Sequence, residues 1–137
     1  MKRVYITSVP LQGRGGLEKG IYQPFDFTFK VNIETSFPII TVLAQEQTKQ
    51  EDVKVIALRT ENKDTEDNFE EMLGQLKQIG ILEEQVTSLL LPENQSSEAG
   101  VRSMLKIIEE IPDDSLVYAD LTFGTKPMSI MILYAVT

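Results

Sequence analysis

The sequence predicts an α/β fold, a Rossmann-like parallel sheet of order 3-2-1-4 flanked by helices, with a β-like insertion after the first strand. Three observations predict it. Short apolar runs rich in β-branched residues alternate with longer segments whose apolar residues recur at helical spacing. After the insertion this strand–helix alternation repeats, and right-handed crossovers then place the helices on the faces of a parallel sheet. At 137 residues the chain has the length of one domain, 1–137, and can bury a real core.

Arg3 to Ser8 reads as the first strand, from its β-branched and aromatic residues. Val9 to Gly20 is a glycine-rich, locally basic loop. Phe25, Phe27, Phe29, Val31 and Ile33 then alternate with polar residues, the period of a half-buried extended segment. Ser36 is read as the N-cap of a helix with Pro38 in its first turn, running to about Gln50 with Phe37, Ile40, Leu43 and Ala44 on its apolar face. Val53 to Leu58 is the second strand. Thr65 is read as the cap of the second helix, which buries Phe69, Met72, Leu73, Leu76 and Ile79 and ends at Gly80. Val86 to Leu91 is the third strand. The third helix starts at Ser96 or Ser97 and carries Val101, Met104, Leu105, Ile108 and Ile111 on its apolar face. Ser115 to Leu121 is the fourth strand, and a fourth helix begins at Lys126.

Met128 to Val136 is nearly all apolar. It is about half the ~20 residues that cross a bilayer, so a buried helix is expected and no membrane contact. The chain stops inside this run, which suggests truncation at the carboxyl end.

Composition excludes several chemistries. Hydrophobic residues make up 42% and charged residues 25%, as in a globular protein. With 13 Lys+Arg against 21 Asp+Glu the net charge is -8, which disfavours unspecific binding of duplex nucleic acid but not of a small anion in a local pocket. There is no Cys and no His. Disulfides, thiolate zinc sites, Cys nucleophiles and histidine bases are therefore impossible. Neither a metal nor a cofactor is expected, and the missing disulfides are compatible with a reducing, cytoplasmic location.

In a sheet of this order, ligands bind in the crevice between strands one and four, outside their carboxyl ends. Thr7 and Ser8 end strand one there, and Leu121-Thr122-Phe123-Gly124-Thr125-Lys126-Pro127 follows strand four. Gly124 permits close backbone approach, Thr125 can cap the helix and Pro127 suits its first turn. The free amides at such a helix start favour an anion; Lys126 adds a positive charge. The same residues also fit an ordinary capped helix with an exposed lysine. Arg14 and Lys19 fit either a lid over an anion or a solvated loop. Asp120 fits either a hydroxyl-orienting role or local bonding to backbone amides. Gly13-x-Gly15-Gly16 lacks dinucleotide-fingerprint spacing, and no P-loop occurs. Glu109-Glu110 and Asp113-Asp114 fall at the other end of the sheet and read as helix-end and turn residues.

Met1 to Ser8, together with Asp120-Leu121-Thr122-Phe123-Gly124-Thr125-Lys126-Pro127-Met128, resembles the CARF domains of type III CRISPR-associated proteins. The resemblance covers the whole chain loosely and the last motif more specifically. It implies a homodimeric sensor of cyclic oligoadenylate, an antiviral second messenger lying across two crevices about a dyad and regulating an effector outside this chain. Thr7 and Ser8 would contact ligand, while Thr122, Phe123, Gly124, Thr125 and Lys126 would surround its phosphate and ribose. The alternative is a ring nuclease, in which the ribose 2′-hydroxyl attacks its adjacent phosphate and Lys126, with Ser8 or Thr125, stabilises the developing charge. A Rossmann-like domain for another nucleotide is a further alternative. Phe123 stands where many family members carry His or another residue, so the resemblance leaves the ring size open. The insertion from Tyr22 to Ile33 has no counterpart in the family pattern, and the family's sheet continues beyond the fourth helix.

Overall fold

The computed structural model of the protein describes residues 2–10, 19–21, 33–45, 52–61, 63–91 and 97–120. Strand β1 (Arg3–Ser8) is followed by two short strands, β2 (Gly20–Ile21) and β3 (Glu34–Thr35), and by helix α1 (Pro38–Ala44). Then come β4 (Val53–Thr60), α2 (Lys63–Gln78), a single 3-10 turn (Glu83–Gln85), β5 (Val86–Leu91), α3 (Ser97–Glu110) and β6 (Leu116–Asp120). The four long strands form one sheet in the order β5-β4-β1-β6, every adjacent pair parallel. Counted among these four alone, that is third, second, first, fourth. No described helix is long and apolar enough to cross a membrane.

Strand alternation builds a core on each face. Tyr5, Val53, Val55 and Ala57 turn to one side, where Phe37, Ile39, Ile40 and Leu43 around α1 and Met72 and Leu76 of α2 cover them. Val4, Ile6, Ile56 and Leu58 turn to the other, where Ile107 of α3 meets them. Both faces of β1 and β4 are thus buried, which explains why these strands read as continuous apolar runs rather than alternating ones.

The insertion closes at its base. Gly20 and Ile21 pair antiparallel with Thr35 and Glu34, and two polar residues of α2 hold its two ends. Asn68 Nδ2 donates to the Pro10 carbonyl at 2.8 Å. Gln75 Oε1 accepts from the Thr35 hydroxyl and from the Ser36 amide, the latter at 3.1 Å. Asn68 and Gln75 are seven positions apart, two helical turns, and so share a face. The extended segment expected from Phe25 lies outside the described residues up to Asn32.

Four boundaries and faces differ from the sequence reading. Ser36 is not the cap of α1: Phe37 is, extended at φ -127 and ψ 110, with no side-chain cap bond. Pro38 causes this, since its ring forces the preceding residue out of the helical region while suiting the first helical position itself. Helix α1 ends at Ala44 with Gln45 as its C-cap, short of the expected end near Gln50. Thr65 is not a cap either; it sits inside the first turn of α2 and donates to the Thr60 carbonyl at 2.6 Å, fastening the helix to the end of β4.

The fourth difference concerns α3. Ala99, Ser103 and Ile107 are its buried residues, whereas Val101, Leu105 and Ile108 are 52%, 52% and 45% exposed. At about 100° per residue the buried row Ala99, Ser103 and Ile107 lies nearly opposite the exposed row Val101, Leu105 and Ile108, so α3 turns a different face to the sheet from the one its apolar spacing predicts.

The helix ends are otherwise as expected. Gly80, at φ 89, follows α2. The amides of Ile81 and Gly80 donate to the carbonyls of Leu76 and Lys77, with buried Ile81 meeting Leu76 in the core. This is a Schellman end, which favours glycine because φ is positive there. At the end of α3, Lys54 Nζ donates to the Glu110 carbonyl at 2.7 Å and pairs with its carboxylate at 3.0 Å. Lys54→Ala is expected to lower unfolding free energy by about 1 kcal/mol, since a helix carbonyl cap and a half-exposed ion pair are lost together. Urea titration of the variant checks this; an unchanged midpoint would show the pair to be energetically idle.

Candidate functional site

The carboxyl ends of β1 and β6 meet in register, with Thr7 opposite Asp120 and Tyr5 opposite Tyr118. Parallel neighbours in register present their side chains on the same face, so two contacts form one above the other. The Tyr5 and Tyr118 rings stack with centroids 4.7 Å apart and 8° between planes. Beyond them the Thr7 hydroxyl donates to Asp120 Oδ2 at 3.3 Å. An ionised carboxylate can only accept, which fixes the direction of that proton.

Thr7 and Ser8 point to opposite faces of the sheet. Thr7 shares the α1–α2 face with Tyr5, and Ser8 shares the α3 face with Val4 and Ile6. Ser8 is fully buried, and among the described residues its hydroxyl has no hydrogen-bond partner.

A cavity of about 520 Å³ runs beside the crevice, between Pro38, Ile39 and Val42 of α1 and Tyr118, Ala119 and Asp120 of β6. Its walls are apolar with one carboxylate at the strand end, the pattern of small-molecule sites in which a few polar groups set orientation. Thr7 is buried and lines no part of this cavity; its hydroxyl donates to Asp120, which does line it. A carboxylate accepts, so Asp120 suits a donor, such as a sugar hydroxyl or an exocyclic amine, better than a phosphate.

The sequence-predicted residues divide into two groups. Thr7, Ser8 and Asp120 are brought together at one point of the sheet. Thr122, Phe123, Gly124, Thr125 and Lys126 lie outside the described residues, as does Arg14, while Lys19 is exposed. Of the two readings of Asp120, the hydroxyl-orienting one matches the Thr7 bond. Glu110 serves Lys54, and Asp114 adopts a turn at φ 58, so neither acidic pair gathers a metal; among the described residues no group of acidic side chains could hold one. The residue that sequence reasoning missed is Tyr118. Its only signal is its position two before Asp120, matching Tyr5 two before Thr7.

Fold and cavity define the class: an α/β domain built on a parallel sheet, with a ligand-sized cavity between α1 and β6 that reaches Asp120 at the carboxyl end of β6. No protein-family model matches the chain, and no curated protein matches it.

Proposed function

We propose that the protein is a sensor that binds a cyclic oligoadenylate at the carboxyl ends of β1 and β6, acts as a homodimer in the cytoplasm, and regulates an effector outside this chain. The observation that carries the reading is the Thr7–Asp120 pair at the carboxyl ends of β1 and β6. Asp120 of such a pair accepts from ribose hydroxyls or the adenine amine. The loop Thr122 to Lys126 immediately follows Asp120 in sequence and would supply phosphate contacts through backbone amides and Lys126. A symmetric ring ligand suits an isologous twofold interface, in which each crevice holds half of it.

Binding is favoured over cleavage by the same chemistry. Asp120 is the one carboxylate among the described residues lining the neighbouring cavity, and its Oδ2 already accepts a hydrogen bond from Thr7. Among the described residues lining that cavity, no other side chain is a base that would deprotonate a ribose hydroxyl. Intact ligand after prolonged incubation with the protein is the expected result; steady linearisation would establish the ring nuclease instead.

Calorimetric titration with cyclic tetra- and hexa-adenylate tests the reading. Thr7→Val keeps the side-chain shape and removes the hydroxyl, and is expected to weaken binding about tenfold, the worth of roughly 1.4 kcal/mol. Equal affinity for Thr7→Val and the natural chain would remove the crevice from the site.

A further inference from the structure

We propose a second ligand site at the carboxyl ends of β4 and β5, in which Arg59 and Lys63 hold the phosphate of a phosphorylated sugar while Glu61 and Glu66 accept hydrogen bonds from its hydroxyls. Arg59 shares the face of Val55 and Ala57 and is half-buried. Its Nε donates to the Ser88 hydroxyl at 2.9 Å, and its guanidinium lies 5.7 Å from the centroid of the Phe69 ring. These contacts hold the side chain and use one donor and one face. The two Nη groups remain, and among the described residues Arg59 makes no ion pair. A partly desolvated guanidinium normally has a carboxylate or phosphate partner. Held as this one is, its fork matches two oxygens of an oxyanion with little ordering left to do.

The surrounding pocket has a volume of about 420 Å³ and is lined by Arg59, Glu61, Lys63, Glu66 and Leu90. Small-molecule sites span roughly 300–1,000 Å³. The charges are mixed but not paired: among the described residues neither Glu61 nor Glu66 lies within salt-bridge distance of Arg59 or Lys63. A bare anion would be opposed by the carboxylates, and a bare cation by Arg59 and Lys63. A phosphate ester bearing hydroxyls satisfies both halves, because carboxylates accept what sugar hydroxyls donate. The location is outside the carboxyl ends of parallel strands, where open α/β sheets bind ligands. It lies on the β5 side of β4, away from β6, and does not depend on the cyclic-nucleotide reading.

The test follows the Arg59 Nε–H signal by NMR while the 137-residue chain is titrated separately with ribose 5-phosphate, inorganic phosphate and ribose. Ribose 5-phosphate is expected to give a saturable shift at least tenfold tighter than inorganic phosphate, with no response to ribose. Arg59→Lys keeps the charge and loses the fork; by calorimetry it should bind ribose 5-phosphate at least tenfold more weakly while melting within a few degrees of the natural chain. Lack of a saturable shift in the natural chain overturns the site outright. Equal affinity for inorganic phosphate and ribose 5-phosphate overturns the sugar assignment, and unchanged binding by Arg59→Lys overturns the role of Arg59.

Discussion

Phe37→Ala is expected to lower unfolding free energy by about 3–5 kcal/mol, the cost of removing a large aromatic from a packed core. Phe37 is fully buried and packs in the cluster that joins α1 and α2 to the sheet. Its backbone also starts α1, so the ring anchors the helix at the residue where its direction is set. The loss compares with about 5–15 kcal/mol for the whole stability of a domain. At this chain length it corresponds to a fall in Tm of about 10–15 °C. Calorimetric melting measures it; a fall below about 3 °C would mean that α1 contributes little to the cooperative unit.

Gln75→Leu is expected to cost about 2–4 kcal/mol, although it adds apolar surface to a buried position. Its side-chain oxygen accepts from the Thr35 hydroxyl and the Ser36 amide, and its nitrogen donates to Glu71 at 2.9 Å and to the Ser36 hydroxyl at 3.4 Å. Leucine replaces all four contacts with nothing. The Ser36 amide and Thr35 hydroxyl then stay buried without acceptors, and each such group costs about 1–3 kcal/mol. A double-mutant cycle with Thr35→Val isolates the hydroxyl's share. Additive losses in that cycle would show that Gln75 and Thr35 do not act as a pair.

These two positions also mark where the sequence was legible and where it was not. Phe37, Ile40 and Leu43 announce themselves by helical spacing, and the strands by β-branched runs, because local patterning and burial agree there. The parallel sheet with helices on its faces followed from the alternation of element types and the right-handedness of crossovers. Gln75 and Asn68 were silent. Periodicity assigns polar residues to the solvent face, and nothing local reveals that Pro10 and Ser36, 58 and 39 positions away, need hydrogen-bond partners there. The exposed Val101, Leu105 and Ile108 show the same limit from the opposite side: a helical apolar stripe states that some face is buried, and tertiary packing chooses which.

At the crevice, Thr7, Ser8 and Asp120 were visible as polar residues ending apolar strands, and topology placed them together. Their division of labour was not visible. It depends on the register that sets Thr7 against Asp120, and on the alternation that sends Ser8 to the α3 face. The same register sets Arg59 opposite Leu90 and places Ser88 on its face, one strand over. Pairwise register is a property of the assembled sheet, so both polar contacts had to await it.

The central claim, that the crevice and the loop after Asp120 form one nucleotide site, is tested most directly by thermal melting with cyclic tetra- and hexa-adenylate, run in parallel on the natural chain and on Lys126→Ala. At 100 times its dissociation constant the right ring should stabilise the natural chain by about 2.7 kcal/mol, a rise in Tm of about 8–10 °C, and leave Lys126→Ala unmoved. No rise with either ring, or an equal rise in the variant, would contradict the account.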